Sequence, residues 1–186
     1  MLNPNDNISF AKWLDSQAEA LGLLAIASLR LDSPALAELA KQRYQPEILG
    51  GMPNYVLRDQ PVKANPASFV PWAKSALVAI GSFRELPAAP TLQSFKLAET
   101  GSPVSGLLAG YDLKLDYHIF SRKAMGFLGE ALAALAGREL RVESLCDATP
   151  IPERLLAIVS GLGYVGLHRC LLPQCSRDGV FICSLL

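Results

Sequence analysis

Residues 160–168 read SGLGYVGLH and set Gly161, Gly163 and Gly166 in the G-x-G-x-x-G spacing of a dinucleotide-binding turn. In such a turn a strand leads into the glycines and a helix leaves them, so that the helix N-terminus faces a pyrophosphate. Here the flanks are reversed. The preceding PERLLAIVS has helical periodicity, whereas the following YVGLHRCLL reads as extended. Only 20 residues follow Gly166, too few for the helix, second strand and ribose-binding acid of a complete nucleotide unit. The stretch therefore argues against a Rossmann domain. Gly161 or Gly163 is expected to take the left-handed conformation that ends a helix and turns the chain into a strand. Gly166, inside the extended part, marks a bulge or lets another backbone or a flat ligand come close.

Working outward, residues 8–21 place Phe10, Trp13, Leu14, Ala18 and Leu21 at helical intervals, and GLLAIASLRL then reads as a buried strand. DSPALAELAKQRY opens with Asp32 or Ser33 before Pro34, a helix-start signal. Residues 45–71, rich in proline and glycine, are expected to be mostly irregular. In KSALVAIGSF the apolar run is too continuous for a strand with one exposed face, which puts it in the middle of a sheet. A second Pro-rich connection spans 84–103. DYHIFSRKAMGFLGEALAALAG is the clearest helix, with Tyr117, Phe120, Ala124, Phe127, Leu128, Ala131 and Leu135 on one face and Gly137 as its stop. RELRVESLC reads as a strand, Thr149 and Pro150 as the start of the next helix, and GVFICSLL as a closing strand. This alternation predicts one α+β domain over residues 1–186, a mixed sheet covered by helices.

Seventeen basic and seventeen acidic residues cancel, so the chain has no long-range field for gathering nucleic acid or anionic lipid, and only a local basic patch could do so. No apolar run reaches the roughly 18 residues of a membrane span. MLNPNDNISF has no basic region followed by an apolar one, and the expected location is the cytoplasm. Cys146, Cys170, Cys175 and Cys183 follow no metal-ligand spacing and read as reduced, mostly buried thiols. His168 reads as a packed residue in an apolar strand. Hydrolase, zinc-protease and P-loop motifs are missing from the sequence.

Three segments together resemble the N-terminal domain of the epoxyqueuosine reductases, cobalamin-dependent enzymes of tRNA queuosine synthesis. YDLKLDYHIFSRKAMGFL resembles a Y-x-x-G-x-D-Y-H helix start, and CDATPIPERLLAIVSGLGYVGLHRCLL resembles D-S-x-P-x-x-E-R-x-x-A-x-x-x-G-L-G-W-x-G-K-N. GMPNYVLRDQPVKANPASFVPWAKSALVAIGSF resembles a G-x-M-x-Y-L stretch followed by R-x-x-P, with Lys63 at the arginine position and Pro66 at the proline. The matches occur in order over residues 50–186.

The resemblance implies a three-layer sandwich like the cobalamin-processing and nitroreductase folds, with a corrinoid lying on it. It also implies that the ferredoxin-like domain with two 4Fe-4S clusters, which follows in the family, would begin about where FICSLL ends. Electrons would then come from an iron-sulfur partner. By the same resemblance Asp147 is the catalytic acid, which needs a carboxyl still protonated near neutral pH in apolar surroundings. The reading from the residues alone is an aspartate that organises the turn before a helix. Tyr117 and His118 match the D-Y-H element and are implied, with Gly161, Gly163 and Gly166, to bind cobalamin. Glu153 and Arg154 match the family's E-R and are read as holding the Asp147 loop.

The sequence departs from the family at Leu113, Lys114 and Leu115 before Asp116, and at Tyr164, Leu167 and His168, where the family has tryptophan, lysine and asparagine. Loss of the lysine removes a charge suited to an anionic group. It favours a second expectation, a cofactor-free interaction or assembly module, for instance a homodimer. The nitroreductase-like fold class also suggests a flavin reductase, and tRNA is a further candidate partner.

Overall fold

A computed structural model describes residues 4–45, 47, 50–88, 114–147 and 149–186, with the side chains of residues 4–9 and 55 left aside. Helix α1 (Pro4–Leu21) leads into strand β1 (Ala25–Arg30), and α2 (Pro34–Arg43) follows. Ser33 caps α2 by accepting from the Leu36 N–H at 3.3 Å, with Pro34 in the first turn where its missing N–H costs nothing. Strand β2 (Ser75–Ser82) precedes α5 (Tyr117–Ala136), β3 (Ser144–Leu145), α6 (Glu153–Val159), β4 (Gly163–Val165), β5 (Leu171–Pro173) and β6 (Val180–Leu185).

Four strands form a sheet in the order β1-β2-β6-β3. Every described pairing in it is antiparallel, so the expected mixed sheet is corrected. The apolar run of β2 lies in the interior of the sheet, as its sequence predicts. Alternation splits the run between two cores: Ala76, Val78 and Ile80 face α2 and α6, through Leu36, Ala40, Leu155 and Leu156. Leu77 and Ala79 face the opposite side, where α1 and α5 bring Leu14, Ala18, Ala124, Met125 and Leu128 against Phe181, Cys183 and Leu185. Removing a fully buried side chain such as Ile80 or Leu156 here costs about 2–5 kcal/mol.

Several local expectations change. Residues 45–71 hold two short helices, α3 (Asn54–Arg58) and α4 (Gln60–Ala64), and a 3₁₀ turn at Pro66–Ser68, because proline is at home in a first helical turn. On α5 the buried residues are Ser121, Ala124, Met125, Leu128 and Gly129, while Phe127 and Leu135 are exposed. Gly137 does end α5 in the left-handed conformation (φ 62°). RELRVESLC contributes only Ser144–Leu145, which pair with the last residues of β6. Helix α6 starts at Glu153 and not at Pro150, since Pro152 disfavours helical backbone at Ile151. Most of the 84–103 connection lies outside the described residues.

Candidate functional site

Helix α5 begins beside the end of β3, and this junction brings together residues 30 apart in sequence. Asp116 caps α5, accepting from the His118 N–H at 2.8 Å, and its Oδ1 also lies 2.8 Å from His118 Nδ1. These two bonds hold its carboxyl below the usual aspartate range, the backbone bond contributing most. They leave His118 Nε2 facing Asp147 Oδ2 at 3.9 Å. Tyr117 Oη donates to that same oxygen at 2.5 Å. Burial, and then the bond to Asp147, pushes the Tyr117 phenol well above its ordinary range, so it is a lasting donor. The ring is fixed by Phe83 at 5.3 Å and Phe181 at 5.6 Å between centroids. The outer end of the Phe181 ring itself lies against Gly81, where any Cβ would collide with it.

Asp147 follows β3 with a left-handed backbone (φ 55°), which aspartate tolerates better than most residues. Its side chain is 58% exposed, so the apolar enclosure expected of it is not what surrounds it. The enclosed carboxyl belongs to Glu153, the first residue of α6, which is 8% exposed and accepts the Asp147 N–H on Oε2 at 2.9 Å. Burial pushes Glu153 up to about 8, opposed by the bond from the Asp147 N–H and reinforced by the Asp147 charge. Glu153 thus holds the Asp147 loop as the sequence suggests, but buried. Arg154 does a separate job: its Nη1 donates to the Arg169 carbonyl at 2.6 Å.

Beside this corner lies a cavity of about 110 Å³ lined by His118, Ser121, Arg122, Ser144, Leu145, Cys146 and Thr149. Thr149 Oγ1 and Ser121 Oγ are buried and make no hydrogen bond of good geometry among the described residues, Ser121 having the Cys146 and Cys183 thiols as its neighbours. The Cys146 thiol donates to the Ile182 carbonyl at 3.4 Å and is pushed up to about 12, mainly by burial. Donor atoms of His118, Cys146 and Asp147 lie within 4.8 Å of one another, but each residue already has a hydrogen-bond partner in the protein. Two of the other cysteines, Cys170 and Cys175, are exposed, which corrects the expectation of mostly buried thiols.

The three glycines lie elsewhere, on the turn after α6 and on the β4–β5 hairpin. Gly161 is left-handed (φ 81°), and the bonds Gly161 N–H to Ile158 carbonyl and Leu162 N–H to Ala157 carbonyl form the double closure of a glycine-terminated helix. Gly163 pairs with Pro173, and a side chain there would meet the Leu172 carbonyl and stand 2.9 Å from Pro173 Cα. A Cβ on Gly166 would stand 2.9 Å from the His168 ring. His168 is exposed rather than packed in a strand. It occupies the hairpin turn, where its Nδ1 accepts the Cys170 N–H at 3.1 Å, and Arg169 beside it is left-handed.

Cobalamin, implied by the resemblance, can be tested against the cavity. His118 and Arg122, two of the more exposed residues of the lining, suit the amide-bearing rim of a corrinoid lying across its mouth, whereas the buried Ser121 and Thr149 hydroxyls are out of reach of a ring that stays outside. The ring itself is far too large to enter. Sequence reasoning missed Ser121, Arg122 and Thr149, which have no spacing signal, and missed the burial of Glu153.

Comparison with known proteins gives a consistent picture. No protein-family model matches the chain. An epoxyqueuosine reductase of Salmonella typhimurium is 28% identical over 158 residues, which cover 85% of this chain and 38% of that protein. One of Vibrio cholerae is 28% identical over 136 residues, 73% of this chain and 35% of that protein. Among solved structures, a selenomethionine-labelled epoxyqueuosine reductase matches with TM-score 0.68 at 18% identity, over 96% of this chain and 45% of that one. A second, of an epoxyqueuosine reductase with an epoxyqueuosine-modified tRNA-Tyr stem loop, matches with TM-score 0.63 at 17% identity and the same coverage. A third, from Bacillus subtilis, has an aspartate-bearing catalytic loop swung out of the active site and gives TM-score 0.57 at 15% identity, with the same coverage. The chain spans less than half the length of each of these relatives. Sequence and fold together support homology to epoxyqueuosine reductase.

Proposed function

We propose that this chain is a corrinoid-binding domain that takes part in reductive cobalamin chemistry of the epoxyqueuosine reductase kind, with electrons supplied by an iron-sulfur partner. The observation that carries the reading is the Tyr117–Asp147 hydrogen bond, which sets a carboxyl at the edge of a cavity with unpartnered hydroxyls. In this reading the fold is the three-layer sandwich of the family. Tyr117, His118 and Arg122 hold the rim of the cofactor. Cobalamin, when bound, supplies the reducing electrons.

The protein's own part is the proton. Removal of an epoxide oxygen as water consumes two electrons and two protons, and Asp147 is exposed enough to deliver a proton to that oxygen while Tyr117 and His118 fix its direction. A nucleoside at the end of a tRNA stem loop is the matching substrate, given the modified stem loop in the solved relative. This reading leaves the glycines out of the cofactor site: Gly163 and Gly166 face the chain's own backbone and side chains, and Gly161, with open space beside it, closes α6.

Cobalamin titration tests the proposal. The purified chain mixed with cob(II)alamin should change the cofactor's visible spectrum and retain it through gel filtration; an unaltered spectrum with no retention rejects it. One feature favours the cofactor-free module instead: Leu167 at the hairpin tip is fully exposed and Tyr164 is 61% exposed, an apolar pair without a cover among the described residues. Under that reading the titration fails and light scattering finds a dimer.

A further inference from the structure

A left-handed aspartate with an exposed side chain needs an anchor, and Asp147 has one in the bond from its N–H to Glu153 Oε2. The other oxygen of Glu153, Oε1, is buried and has no partner among the described residues. A carboxylate in that position would carry an unmatched charge next to the Asp147 carboxylate, whereas a neutral carboxyl would not. We infer that Glu153 is the positioning residue for Asp147 and that it holds the loop as a neutral acid, so that its ionisation loosens the loop.

The groups facing Glu153 agree. Asp147 and Cys146 come from the loop, Cys183 from β6 and Arg154 from its own helix. Both thiols are pushed up to about 12 by burial and stay neutral. Arg154 is engaged with the hairpin carbonyl at Arg169 and is exposed, which weakens it as a counter-charge.

Glu153 titrates near 8 with the loop in place and near its ordinary 4.5 when the loop is open and the carboxyl solvated. The closed form therefore binds more protons. Closure is firmest at acid pH, weakens as pH rises from the lower value toward the higher, and levels off beyond it. The significance for catalysis rests on Asp147 being the proton donor; the holding of the loop does not.

Amide hydrogen exchange at Asp147, measured by NMR on the full chain without cofactor or substrate and scaled to an unstructured peptide at each pH, separates the two. Protection should fall by roughly tenfold or more between the ordinary glutamate range and pH 8. Glu153→Gln, neutral and still an acceptor, should keep protection independent of pH, and Glu153→Ala should lose it throughout. Protection in the native protein that does not vary with pH, or a Gln variant that still follows the native fall, overturns the inference. If Glu153→Ala does not fold, the native and Gln profiles decide alone. A native profile as expected, together with full turnover by an Asp147 variant, would remove the catalytic reading and leave the latch.

Discussion

In the Gly163–Pro173 hairpin the missing side chains and the polar groups answer one another, whereas at the junction of α5 with the Cys146–Pro152 loop several do not. Gly163 admits the facing backbone, Gly166 admits the His168 ring, and that ring accepts the Cys170 N–H. At the junction, Ser121 Oγ, Thr149 Oγ1 and Glu153 Oε1 are buried and unpartnered, and the left-handed aspartate is more than half exposed. Buried polar atoms without partners are costly, about 1–3 kcal/mol each, and are kept where something else uses them. The hairpin matches a familiar motif and is structurally self-sufficient. The junction matches nothing simple, and its buried polar atoms are the ones left without partners among the described residues.

The sharpest way to break this contrast is Asp147→Asn. Removing the proton while keeping the shape should leave cobalamin affinity unchanged and lower turnover, in a system supplied with electrons and epoxide substrate, by about 10²–10⁴-fold. Equal turnover by the two proteins takes the proton role away from the junction. Next in size is Gly163→Ala. The new Cβ meets backbone atoms on β5 that cannot move without breaking the hairpin, so urea unfolding should show a loss of about 3 kcal/mol. A loss of cobalamin affinity with unchanged stability would instead return Gly163 to the cofactor site.

The contrast also explains what could be read from sequence. The doubly buried β2 run, the Ser33–Pro34 start and the Gly137 stop are local signals, and each holds. The face of α5 is not local: Phe127 and Leu135 are apolar yet exposed, while Ser121 and Gly129 are buried, because the neighbouring strand and not the helix decides which face is covered. Tyr117, His118 and Asp147 are legible by resemblance, and the structure brings them together. Which carboxyl is enclosed was not legible. An E-R pair at a helix start ordinarily reads as solvated charge, and only the packing of α6 onto the sheet buries Glu153 while leaving Arg154 outside.

The two remaining glycines grade the hairpin side of the comparison. Gly161→Ala puts a Cβ into open space, but at φ 81° the cost is conformational, and chemical unfolding should register about 1 kcal/mol. Gly166→Ala should cost least, below about 0.5 kcal/mol, although its Cβ would approach the His168 ring to 2.9 Å. The reason is what gives way. His168 is exposed at a turn, so its ring can swing aside, losing the solvent-accessible bond from the Cys170 N–H, which water can replace, and the other close atom, Leu172 Cδ1 at 3.0 Å, is the end of a flexible side chain. A cofactor cradle would order the three differently, since there the position nearest the ligand should lose affinity most whatever its neighbours in the chain. Differential scanning fluorimetry of the three alanine variants therefore ranks Gly163, Gly161 and Gly166 in falling order of effect, and the reverse order would mean that the hairpin's glycines are not there for the hairpin.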